Sequence, residues 1–66
     1  MMTAQTGKAI RRARKRKGMS QWQLSQAVGV TPATIFMIEH GTRDCSMKLL
    51  TAIADALGVK RSEIEK

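Results

Sequence analysis

Apolar residues recur along this chain at helical spacing, and no segment alternates with period two for long enough to predict a strand. The most regular stretch is Leu50, Ile53, Ala54 and Leu57, at i, i+3, i+4 and i+7, which predicts an amphipathic helix capped by Ser46 and stopped by Gly58. A shorter helix is predicted from Leu24, Ala27 and Val28. Ser20 and Gln23 before it have capping-box spacing, Met19 and Leu24 have hydrophobic-staple spacing, and Gly29 ends it. The next helix has Thr31 as its cap and Pro32 at its first position, where a missing N–H costs nothing. Val30 is placed to staple onto Ile35, Ile35 and Ile38 point inward, and Gly41 closes that helix. Ahead of these, Ile10 and Ala13 mark a first helix over about residues 6–17, with Gly18 as its stop. Ser62 and Glu65 repeat the capping-box spacing, but the chain reaches Lys66 so soon that only a stub of a fifth helix fits. The pattern predicts an all-α, compact bundle of four to five short helices. It is read as one domain over 1–66, with no linker, repeat or low-complexity segment.

Composition narrows the function. A chain of 66 residues buries only about 60% of the surface it exposes when unfolded, which leaves no room for a deep catalytic cleft between lobes. Residues are 42% hydrophobic but only 3% aromatic, so the core must be aliphatic. The formal charge is +7, and a small domain this basic attracts a polyanion. Seven cations fall in the first helix (Lys8, Arg11, Arg12, Arg14, Lys15, Arg16 and Lys17), spread around so much of it that they are not expected on one side. Low aromatic content argues against the stacking platforms of RNA binders.

Cys45 is the single cysteine and His40 the single histidine, so neither an internal disulfide nor a zinc site can be built from them. There is no phosphate-cradling glycine loop and no nucleophile–base pair, so the chain reads as no enzyme, with no cofactor and no metal. No apolar run approaches the roughly 20 residues that span a bilayer, and the start lacks a signal segment. The expectation is a cytoplasmic protein with no membrane partner.

The combination of Ile10-Arg11 with Arg14 and Gly18, Ser20-Gln21 with Leu24, Val28-Gly29-Val30-Thr31, Ile35 and Glu39 with Gly41, and Leu50 with Ile53-Ala54 and Leu57-Gly58-Val59 resembles the lambda-repressor/Cro-type (XRE-like) helix-turn-helix family. The resemblance runs from about Gly7 to Val59. It implies a lambda-repressor-like DNA-binding domain, bacterial or phage-encoded, with its helix-turn-helix unit at about residues 20–40. It further implies a transcriptional regulator, a repressor acting as a homodimer on a palindromic operator in double-stranded DNA. The alternative is an antitoxin or accessory module whose main partner is a protein.

Residue roles follow from the same resemblance. Gln21 is placed to hold a phosphate, helped by the free N–H groups at a helix start. Ser20, Thr31, His40, Arg43, Ser46 and Lys48 are the other expected backbone contacts. Arg14 and Glu39 are expected to pair between the first and third helices, as a structural tie. Pro32, Ala33, Thr34, Phe36 and Met37 are expected to face bases. Here the sequence departs from the family's richer pattern, because no Arg, Gln or Asn stands at these positions to read guanine or adenine in bidentate fashion. Either the helix relies on thymine methyls, DNA shape and phosphates, or Phe36 and Met37 form part of a protein-binding patch. Met47, Leu49, Val59 and Ile64 lie off the main stripe and are candidates for a dimer surface, the alternative for some of them being the core. Trp22 is expected to pack over the helix junction, the alternative being a place near the DNA backbone, and Cys45 to be a small, partly buried filler.

Overall fold

In the computed structural model, which describes residues 4–65, the chain folds into α1 (Ala4–Lys17), α2 (Gln21–Val28), α3 (Pro32–Glu39), α4 (Met47–Leu57) and α5 (Arg61–Ile64). The architecture is all-α, and no strand occurs among the described residues.

Local chemistry sets most of the boundaries. Ser20 Oγ accepts from the Gln23 N–H at 3.0 Å, while Gln23 Oε1 accepts from the Ser20 N–H at 2.8 Å. This reciprocal box satisfies two donors that the first turn of α2 would otherwise leave open. Thr31 and Ser46 cap α3 and α4 through their side-chain oxygens. The turn between α2 and α3 depends on Gly29, whose φ of 76° is strained for any residue with a Cβ. Its N–H and that of Val30 both donate to Ser25 O, at 2.9 and 3.0 Å, which closes α2 and redirects the chain into α3.

The core is aliphatic. Ile10, Leu24, Ile35, Ile38, Leu50, Ile53 and Ile64 are all but fully buried, so each helix contributes at least one side chain to it. α1 packs on α3, α4 and α5, and α2 packs on α3 and α4. α1 and α3 come very close at Gly7, on the buried side of α1. A Cβ there would stand 2.5 Å from the carbonyl oxygens of both Ile38 and Glu39, so only glycine lets α1 lie directly against the end of α3.

Several expectations need correction. Ala27 is exposed, and Ser25 is buried beside Leu24 in α2, its hydroxyl donating to Trp22 O at 2.6 Å. A polar side chain that satisfies itself on its own helix can take a core position that periodicity assigns to an apolar one. Ser62 does not cap α5. The cap position is Lys60, without a side-chain hydrogen bond, and Ser62 lies inside the helix. Ile64 belongs to the core, which removes it from the candidate dimer surface. Leu49 and Val59 are half-buried against the core, leaving Met47 as the large exposed apolar side chain of that set. Trp22 is 60% exposed rather than packed over the junction. Lys66 lies outside the described residues.

Candidate nucleic-acid interface

α3 owes its orientation to a polar tie beneath it. Arg14 Nε donates to Glu39 Oε2 at 2.6 Å and Arg14 Nη2 to Glu39 Oε1 at 3.1 Å, in the two-pronged geometry that suits a guanidinium and a carboxylate. Arg14 Nη1 donates to Met19 O at 2.8 Å, and Gln21 Nε2 donates to Glu39 Oε1 at 3.1 Å. The Arg14 side chain is 9% exposed and that of Glu39 not at all. One buried cluster therefore joins α1, the loop after it, the start of α2 and the end of α3. No buried side-chain polar atom among the described residues lacks a partner.

With Ile35, Ile38 and Glu39 turned inward, α3 presents Pro32, Ala33, Phe36 and His40 to solvent, with Met37 half-buried beside them. At about 100° per residue these five positions occupy a single arc. Thr34 is the correction. It is buried, on the far side of the helix, where its Oγ1 lies 2.9 Å from Thr31 Oγ1 and its N–H donates to that same cap oxygen at 3.2 Å. It serves the cap and does not face outward. Phe36 and His40, one turn apart, stack with ring centroids 4.0 Å apart, and His40 Nδ1 lies 2.9 Å from Phe36 O. The imidazole is thereby held against the ring, and its Nε2 is left for another partner.

The residues expected to hold phosphates lie around this arc. Gln21 is half-buried, and its amide nitrogen spends one N–H on Glu39, which leaves the second. Thr31 and Ser20 are exposed, both with their oxygens occupied in caps. Arg43 is exposed in the loop after α3. Ser46, exposed, caps α4 by accepting from Leu49 N–H at 3.1 Å, and Lys48 is exposed one residue into that helix. Trp22 is the surface residue that sequence reasoning assigned to packing. Its position off the Leu24–Val28 stripe was the signal for exposure. α2 and α3 contain no Lys or Arg at all. Cys45 is buried in the loop before α4, and burial pushes its thiol up to about 11 from an ordinary value of 9.0.

No helix among the described residues is long and apolar enough to cross a membrane. None of their His, Cys, Asp and Glu side chains gather in threes to suit a metal ion.

Comparison with known proteins places this geometry. A family model described as helix-turn-helix matches residues 10–64. An uncharacterized HTH-type transcriptional regulator of Methanothermobacter thermautotrophicus is 45% identical over 56 residues, which span 85% of this chain and 78% of that protein. Among solved structures, the restriction-modification controller protein C.AhdI from Aeromonas hydrophila is similar over 92% of each chain, with a TM-score of 0.89 and 28% identity. The master regulator for biofilm formation SinR, in complex with DNA, is similar over 92% of this chain and 98% of its own, with a TM-score of 0.86 and 26% identity.

Proposed function

Because this chain belongs to the helix-turn-helix family of transcriptional regulators, we propose that it is a sequence-specific reader of double-stranded DNA, a repressor acting as a homodimer on a palindromic operator. The observation that carries this reading is the arc of Pro32, Ala33, Phe36, Met37 and His40, displayed on a helix that the buried Arg14–Glu39–Gln21 cluster holds in place. Ala33, Phe36 and Met37 supply apolar contacts for thymine methyls, and DNA shape supplies the rest of the preference. Gln21, Ser20, Thr31, His40, Arg43, Ser46 and Lys48 set the register on the phosphates. All 66 residues act as one DNA-binding domain, in the cytoplasm. A single α3 spans too few base pairs for a useful site, and a dimer with half-sites one helical turn apart answers that.

A second reading has its own support. Trp22 is 60% and Phe36 49% exposed, on two helices without a single cation. Such a surface also suits a protein partner, as in an antitoxin or accessory subunit.

Selection from random duplex DNA, followed by binding of the winners against salt, separates the two. The regulator reading expects a palindromic winner with halves centred about 10 base pairs apart. Failure to bind any duplex at low salt overturns it and leaves the protein-partner reading.

A further inference from the structure

The positive charge of this chain sits mainly away from the surface just described. α2 and α3 carry one charged residue between them, Glu39, whereas α1 carries seven cations and no acid. Arg14 turns inward to Glu39, and Lys17 lies beside Gly58 at the end of α4. The other five, Lys8, Arg11, Arg12, Lys15 and Arg16, are all exposed. At about 100° per residue they fall within one arc of roughly 140°. The seven cations do not share one side, as expected, since Arg14 is buried and Lys17 is exposed off the arc, but the other five do share one. Without these five the formal charge would fall from +7 to +2. Among the described residues, none of their side chains has a hydrogen-bond or ion-pair partner. Glu63 shares a shallow hollow with Arg12 and Arg16.

We propose that the exposed face of α1 is a second phosphate-binding surface, which holds the backbone of duplex DNA outside the contact made by α2 and α3. Lys8, Arg12 and Arg16 are successive i, i+4 neighbours, as are Arg11 and Lys15, and like charges at that spacing weaken a helix. A polyanion laid along the arc removes that repulsion and releases its own counterions. A bilayer is the poorer occupant, because Ile10 and Ala13 of α1 are in the core and no large apolar side chain of the helix is left to enter lipid. The inference rests on the DNA reading only for the identity of the polyanion.

The test uses the full chain and a random duplex of about 30 base pairs, with log K measured against log salt. The variant carries Lys8→Gln, Arg11→Gln, Arg12→Gln, Lys15→Gln and Arg16→Gln. Its slope is expected to be shallower by about 4, while the sequence enriched from a random pool stays the same. If the five-fold variant does not fold, Lys8→Gln with Lys15→Gln is expected to flatten the slope by about 2. An unchanged slope overturns the proposal, as does loss of binding to an acidic peptide or anionic vesicle with DNA binding intact. A changed sequence preference overturns it too, since α1 would then be reading bases. If the wild-type chain enriches no sequence but the variant still flattens the slope, the regulator reading falls and this surface stands.

Discussion

Arg14 and Glu39 are charged side chains removed from water, and each is supplied with partners that replace it. Taking such a pair out of solvent costs free energy that a good apolar pair would not, so its worth lies in holding α3 at one angle rather than in net stability. Glu39→Ala is expected to destabilise by about 3–5 kcal/mol in urea unfolding, because the Arg14 guanidinium is left buried without its counter-charge. Arg14→Met with Glu39→Met is expected to recover most of that loss. A cost for Glu39→Ala below about 1 kcal/mol would mean that water reaches Arg14 freely. Cys45 has the opposite problem of a neutral group kept from ionising. Its folded thiol titrates near 11 against 9.0 for the ordinary group. Above pH 9 the unfolded chain loses this proton while the folded one keeps it, so stability is flat below pH 9 and falls between 9 and 11. Replacing Cys45 by Ala is expected to remove that part of the alkaline decline, as seen by thermal melting across pH. Thiol-reactive dye at pH 8 is expected to label the folded chain more slowly than the urea-unfolded one.

At the scale of the helices, boundaries and faces have different origins. Ser20, Thr31, Ser46 and Gly29 act within a few residues of themselves, so their roles are visible in the order of residues along the chain. Faces are settled by what lies opposite. Thr34 stands where periodicity alone allows either side, and the Thr31 hydroxyl draws it inward. Gly7 is the sharpest case, since a glycine within a helix normally weakens it. Gly7→Ala gains roughly 1 kcal/mol of helix propensity on its own. In this fold its methyl would meet two backbone carbonyls at 2.5 Å, which cannot move as a side-chain tip can. The net expectation is destabilisation by about 1–3 kcal/mol, typical of overpacking, with α3 displaced from α1. A more stable Gly7→Ala variant would show that the two helices are free to separate.

Across the whole molecule, charge and reading surface are divided. α3 displays apolar groups, whereas the exposed cations are concentrated on α1, and Arg43 and Lys48 follow α3 along the chain. Arg43→Gln is expected to weaken binding by a similar factor on every sequence and to flatten the salt slope by about 1, without changing the selected operator. A changed operator would make Arg43 a base contact instead. This division was only half legible beforehand. Net charge is a sum over residues, so +7 was plain from the chain itself, as were the helical period, the caps, the tight turn at Gly29 and hence the family. Each of these depends on residues close in sequence or on simple addition. What required the tertiary structure was the choice of side where periodicity left it open: five cations on one outward arc, Thr34 and Ser25 buried, Ile64 in the core, and the demand for glycine at position 7. Those depend on partners as far apart as Gly7 and Glu39, whose approach is set by packing and by satisfaction of buried polar groups, and local periodicity carries no record of either.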